Sequence, residues 1–349
     1  MTTMKKVRIL SVLVMAVGTV SCGLTATQHV RSRETSVASL VWPEPPQPAR
    51  IRFKQSISRP EDAGIRPTLW QRMVERVAGK DQEERFIRPT GIAATNEVLY
   101  VADPGAQQVR VFDLKAGRRR RIRQAGRQRF VSPVAVALGA SGGVYVADSY
   151  LAKVFAFDAQ GRLIATIARE EFRRPSGVAY DALRDRLYVA DSAAHRIWVF
   201  TGAGNPIGSI GHRGTEPGAF NFPTHLAVGT DGRLYVTDAL GFRVQIFNAD
   251  GSVAGQFGRH GDASGDVARP KGVAVDRDGH IYLVDALFDA VQIFDRSGRL
   301  LLSFGRSGTA EGEFWLPNGV CIDAQDRIYV ADSYNRRIQI FEYLREDNP

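Results

Sequence analysis

Apolar and polar residues alternate in short runs along most of the chain, and one run returns six times: Leu99–Asp103, Val144–Asp148, Leu187–Asp191, Leu234–Asp238, Ile281–Asp285 and Ile328–Asp332. Each reads aliphatic, Tyr, aliphatic, a small or β-branched residue, Asp. Successive aspartates lie 45, 43, 47, 47 and 47 residues apart, a period that marks a solenoid or a propeller. Nine residues after each Asp stands a phenylalanine (Phe112, Phe157, Phe200, Phe247, Phe294, Phe341), and 14 to 16 before it a proline (Pro89, Pro133, Pro175, Pro223, Pro270, Pro317). Period-two alternation bounded by Gly, Pro, Asp and Asn predicts four short strands per unit and no helix within the units. Four-stranded units at this period are propeller blades, so the pattern predicts an all-β fold, a six-bladed β-propeller whose tyrosines and phenylalanines pack blade against blade.

The sixth unit ends after three strands, at Tyr343. An unassigned alternating run, Arg50 to Ile57, is expected to supply the missing outer strand and so close the ring, because an open sheet edge is a liability. The organisation read from the chain is a signal at 1–21, a tether at 22–49 ending in Pro43-Glu44-Pro45-Pro46-Gln47-Pro48, the closing strand at 50–58, a linker with a short helix at 59–85, and six blades over 86–345. The helix is expected at Thr68–Val77, where Leu69, Met73 and Val77 share one face.

The unit Pro317-Asn318-Gly319-Val320, continuing through Ile328-Tyr329-Val330-Ala331-Asp332-Ser333-Tyr334-Asn335-Arg336-Arg337-Ile338-Gln339-Ile340-Phe341, resembles an NHL repeat. The resemblance covers residues 86–343 and, with the N-terminal features, extends to bacterial NHL-propeller lipoproteins. It implies the fold and leaves the activity open, since similar propellers include RNA binders, receptor-like sensors, protein scaffolds and a metal-dependent peptidyl-hydroxyglycine lyase.

The N-terminus changes the expected surroundings. Lys5, Lys6 and Arg8 precede an uncharged run from Ile9 to Val20, the layout of an export signal. Thr19-Val20-Ser21-Cys22 resembles a lipobox in which Cys22 is lipidated, which implies a cell-envelope protein held on a membrane by its lipid. The other cysteine, Cys321, lies in an apolar strand and reads as a small buried hydrophobe. Net charge is +9, and without the three signal bases 43 basic residues stand against 37 acidic ones, +6. An exported protein seldom meets nucleic acid, so anionic headgroups or acidic polysaccharide are the expected partners of that charge.

The segments opening each first strand and those following each Asp are expected to gather on one face, around the channel mouth. The candidate ligand-binding residues there are Thr90, Ser176, His225, Lys271 and Asn318 from the former, and Tyr150, His195, Arg243, Tyr334 and Asn335 from the latter. This mixed surface suits a polar or anionic ligand, or a peptide. The recurring Asp reads as an acceptor of backbone N–H groups in the following turn, not as a catalyst. No P-loop or Cys-x-x-Cys occurs, and Gly139-Ala140-Ser141-Gly142-Gly143 precedes a strand where a nucleophile elbow needs a helix. No catalytic residue, metal ligand or cofactor is therefore assigned. The strongest charge feature is Lys115–Arg129, with eight bases and no acid, among them Arg118, Arg119, Arg120, Arg121 and Arg123. It reads equally as edge protection and as a docking patch. The leading expectation is a non-catalytic scaffold for a protein, peptide or glycan on the loop face. The alternatives are a metal-dependent lyase or hydrolase near His225, and binding of an anionic polymer (polysaccharide or RNA) through the basic run.

Overall fold

The computed structural model describes residues 40–65 and 84–345. The expected signal, Cys22 and the expected helix at Thr68–Val77 lie outside the described residues.

Six antiparallel sheets carry the six repeats. Blade one comprises Ile92–Ala94, Val98–Asp103, Gln108–Asp113 and Arg118–Ile122; blade two, Pro133–Leu138, Val144–Asp148, Lys153–Phe157 and Leu163–Ala168. Blade three comprises Pro175–Asp181, Arg186–Asp191, Arg196–Thr201 and Pro206–Ile210; blade four, Pro223–Val228, Leu234–Asp238, Arg243–Phe247 and Val253–Phe257; blade five, Pro270–Val275, Ile281–Asp285, Ala290–Phe294 and Leu300–Phe304. Blade six combines Val320–Ile322, Arg327–Asp332 and Arg337–Tyr343 with Ile51–Ile57, which pairs Phe53 with Phe341 and Ile57 with Ile338. The ring is thus closed by the strand that the alternation singled out.

A fifth strand, Val41–Trp42, adds to this blade outside Ile51–Ile57. It corrects the tether read over 22–49, whose last part belongs to the propeller. The reason is Trp42, whose half-buried ring packs 5.9 Å from Phe304 and 5.7 Å from Phe341; these aromatic contacts outweigh the proline-rich composition that follows it.

The core lies between blades, one apolar cluster at each boundary. Every cluster joins the repeat tyrosine of one blade to the repeat phenylalanine of the next: Tyr100 with Phe157, Tyr145 with Phe200, Tyr188 with Phe247, Tyr235 with Phe294, Tyr282 with Phe341, and Tyr329 with Phe112. Neither blade buries these faces alone, so the closed ring is the stable unit. Side-chain hydroxyls link the inner strands as well. Thr90 donates to Val134 O (2.8 Å), Ser176 to Pro223 O (3.2 Å) and Thr237 to Lys271 O (2.8 Å), and Ser333 donates to Pro89 O across the closure.

Candidate functional site: a cationic channel mouth

The first strands approach one another closely at the centre. A Cβ added at Gly177 would fall 2.3 Å from Thr224 O, and one at Gly319 would fall 2.2 Å from Thr90 O. The equivalent residue is Gly or Ala in five blades and His225 in blade four. That single exception sends an imidazole among the inner strands.

The six repeat aspartates fix the rim. All six are fully buried. Each carboxylate accepts backbone N–H from the segment just before the repeat proline, two such groups in blades one, two, three and five and one in blades four and six (from Asn221 to Asp238, 2.6 Å, and from Trp315 to Asp332, 2.9 Å). Asp103 takes those of Ile87 and Arg88 (both 2.9 Å), Asp191 those of Arg173 and Arg174 (both 2.8 Å), and Asp285 those of Ala268 (2.7 Å) and Arg269 (3.0 Å). The sequence reading foresaw the bonds to the turn, as from Leu287 to Asp285, but not these longer-range ones. Their consequence is positional: Phe222 and Leu316 bond His195 and Asp289 instead, but in the other four blades the residue preceding the proline is held at the mouth by the aspartate.

Three of those residues are arginines. A cavity of about 260 Å³ at the mouth is lined by Arg88, Arg174, Arg269, Lys271, Thr90, Asn318 and Tyr334, with Ser149, Ala286 and Ser333 from the turns after the aspartates, and among the described residues no carboxylate lines it. Arg88, Arg174 and Arg269 are exposed and Lys271 is half-buried. Among the described residues, none of these four side chains makes a hydrogen bond or an ion pair. Burial lowers the Lys271 pKa, and the positive charges of Arg269 and Arg174 lower it further. An ammonium half out of water and flanked by like charges, with no carboxylate beside it among the described residues, is an unfavourable arrangement.

His225 lies beside this group. As placed, its Nε2 donates to Asn318 Oδ1 at 3.1 Å, and its Nδ1 accepts from the Thr224 hydroxyl at 3.1 Å. Burial, reinforced by the Lys271 ammonium, pushes its pKa down to about 4, against the opposing bond to Asn318, so the imidazole is neutral at pH 7. The neighbours named here are an ammonium, an amide and a hydroxyl, a poor donor set for a divalent cation.

Among the described residues, one group of three potential ligand atoms lies within metal-binding reach of one another, on Asp276, Asp278 and His280. It sits in the turn after the first strand of blade five, at the other end of that strand from Pro270. Asp276 accepts from His280 Nδ1 (2.8 Å) and from two backbone N–H groups, and Asp278 pairs with Arg345 at 2.9 Å. Asp323 in blade six is bonded by Arg327 and Tyr329 in the same way. The group is therefore a turn device of the repeat.

The structure brings together Thr90, Lys271, Asn318, Tyr334 and His225. It does not bring Ser176 into the cavity; its hydroxyl bonds Pro223 O. Tyr150 stands exposed outside it. His195, Arg243 and Asn335 turn back onto the protein. His195 is buried, with Nδ1 3.2 Å from Phe220 O and its ring 4.7 Å from that of Phe222. Arg243 is buried in an ion pair with Asp238 (3.0 Å) and donates to Ala219 O (2.9 Å). Asn335 donates to Gly308 O (2.8 Å) and Asp332 (2.9 Å). The arginines before the prolines were not singled out in the sequence reading, although the dipeptide Arg-Pro stands at three of the six repeat prolines.

The basic run forms the outer strand of blade one and the hairpin beyond it. Much of its charge is engaged within the protein. Arg119 pairs with Glu84, Arg120 donates to Ala159 O at 3.1 Å, Arg123 donates to Gln108 at 3.2 Å, and Lys115 pairs with Glu97 at 2.5 Å; Arg121 also has a partner.

The NHL repeat model matches residues 172–200 and 314–341. Among curated proteins no sequence matches the chain. Solved structures share the fold at low identity. Virginiamycin B lyase from Staphylococcus aureus is similar at 12% identity and TM-score 0.55, over 76% of this chain and 97% of that one. A gluconolactonase from Xanthomonas campestris is similar at 17% and 0.57, over 74% and 87%. An auxiliary nutrient binding protein from Bacteroides thetaiotaomicron is similar at 12% and 0.59, over 74% and 69%. At these identities the likeness concerns the fold alone, and the group contains enzymes and a binding protein. The chain is a six-bladed β-propeller in which two of the six blades match the NHL repeat.

Proposed function

We propose that the protein is a non-catalytic binding scaffold of the cell envelope, and that it takes an anionic ligand at the channel mouth. The observation that supports this most is the group formed by Arg88, Arg174, Arg269 and Lys271, four cations from three blades with no side-chain partner among the described residues. Their backbones are fixed by repeat aspartates or inner-strand contacts, so little order is left to be imposed when a ligand arrives. A bound carboxylate, sulfate or phosphate supplies the missing counter-charge, and Arg offers it paired N–H donors.

Catalysis is not part of the proposal. The neutral His225 imidazole is held by Thr224 and Asn318 beside a cation, and among the described residues no ligand set includes it. The envelope location rests on the expected signal and on Cys22. Membrane-bound protein that becomes soluble on Cys22→Ser supports that part, and unchanged fractionation removes it.

The test of binding is a titration of the full chain with fluorescein-labelled tetraglutamate and, as control, tetralysine. The expected result is saturable binding of the acidic peptide alone, weakening as salt screens the mouth and about ten-fold weaker in Arg174→Ala/Arg269→Ala. Equal affinity in the variant overturns the assignment of the mouth.

A further inference from the structure

We infer that the ligand of this mouth is a polypeptide segment whose acidic residues are flanked by apolar side chains. The inference rests on the proposed anion site and adds a partner class to it. The turn after the repeat Asp places its first residue against the mouth in blades two, five and six, where Ser149, Ala286 and Ser333 line the cavity. The next residue in these turns is Tyr150, Leu287 and Tyr334, and Leu240 stands at the same position in the corresponding turn of blade four. These side chains are 75%, 63%, 49% and 50% exposed, in that order. Tyr334 itself lines the cavity and its ring lies 5.5 Å from that of Trp315, also half exposed.

Large exposed side chains thus recur at one turn position around the cationic centre, with Tyr334 in the cavity lining, Tyr150 and Leu287 next to lining residues, and Leu240 at the equivalent position of blade four. Leu240 and Leu287 are not needed for the fold there, because blades one and three carry Gly105 and Ala193 at the same place. Single exposed apolar residues are ordinary, but a set around a charged depression marks an interaction face. Charge complementarity gives the centre of the partner, which is acidic. The border gives the rest. Aromatic rings alone would suit sugars as well as peptides, but the aliphatic Leu240 and Leu287 offer a sugar neither a stacking face nor a hydrogen bond, whereas they fit Leu, Ile, Val or Phe side chains. A glycan satisfies the centre and leaves the border wet. A peptide satisfies both.

The test uses two labelled nonapeptides of equal charge with a Glu-Asp-Glu centre, one flanked by leucines and one by serines, titrated against the full chain and against Leu240→Ser/Leu287→Ser. Both substitutions are at exposed turn positions, and circular dichroism and thermal melting establish that the variant is folded. The expected result is at least ten-fold tighter binding of the leucine-flanked peptide, an advantage reduced below three-fold in the variant, with the serine-flanked peptide bound equally by both proteins. Equal binding of the two peptides to the unaltered chain overturns this inference and leaves the anion site standing. Failure of both to bind removes the anion site and the inference with it. Tighter binding of an acidic oligosaccharide or of phosphatidylglycerol vesicles than of either peptide, weakened by the same variant, also overturns the inference, in favour of a glycan or a membrane surface.

Discussion

The outer strand of blade one and the channel mouth are both basic, yet their charges have opposite settings. In the outer strand the arginines are consecutive in sequence, and neighbouring carboxylates and carbonyls take them up: Arg119 by Glu84, Arg120 by Ala159 O, Arg123 by Gln108. At the mouth, Arg88, Arg174, Arg269 and Lys271 come from three blades and line one cavity, with no carboxylate among its described lining residues. A run of charge along one strand is free to settle against its surroundings as the chain folds. Charge assembled by a closed ring is held by the backbone, and here the buried repeat aspartates hold it. What matters for binding is how many of the charges are left unpaired, and how rigidly, more than how many there are.

The largest effect that sharpens this contrast is on the support of the mouth. Asp285→Ala removes the acceptor for the N–H groups of Ala268, Arg269 and Leu287, and unsatisfied buried donors cost about 1–3 kcal/mol each. Urea denaturation is expected to show a loss of roughly 3–5 kcal/mol. A loss below about 1 kcal/mol would mean that the carboxylate does not fix Arg269.

The next effect depends on pH. His225 has its pKa lowered from 6.5 to about 4 in the folded protein. Above 6.5 the imidazole is neutral in both states and contributes nothing to pH dependence. As pH falls from 6.5 towards 4 the unfolded chain takes up a proton that the folded one refuses, so stability drops, by up to about 3 kcal/mol in all. His225→Gln is expected to flatten this part of the stability–pH curve. An unchanged slope would place the titration elsewhere.

Smaller effects of opposite sign set the two regions apart. Lys271→Met removes a partly buried cation from like neighbours and is expected to raise stability by about 1 kcal/mol in the absence of ligand. Arg119→Ala removes an ion pair to Glu84 and is expected to cost about 1 kcal/mol. Thermal melts of both, at low and high salt, decide the matter; equal signs contradict the contrast.

The ring itself was legible in the sequence, because its determinants repeat. Alternation, Asp, Phe and Pro recur in register, and the run at Ile51–Ile57 had no other partner. Val41–Trp42 was hidden because a two-residue strand is too short to show alternation and four prolines follow it within six residues. The mouth was partly legible. Lys271, Asn318, Thr90 and His225 follow from their register after the repeat proline. Arg88, Arg174 and Arg269 lie far from one another in sequence, and only the fold makes them neighbours. Arg243 was placed on the ligand side because its loop is, yet an arginine five residues after the repeat Asp also stands at Arg196 and Arg337. Arg337 is likewise buried against Asp332 and the carbonyls of Ala310 and Glu313. Recurrence, which marked the aspartates as architectural, marks these arginines in the same way.

The most direct measurement compares the two basic regions against one ligand. Labelled tetraglutamate is titrated against Arg269→Ala/Lys271→Met at the mouth and against Arg118→Ala/Arg120→Ala on the outer strand, both pairs removing two positive charges. The account predicts about a ten-fold loss of affinity in the first pair and less than about a two-fold change in the second. A larger loss in the outer-strand pair would contradict it and make the run of arginines, not the mouth, the binding site.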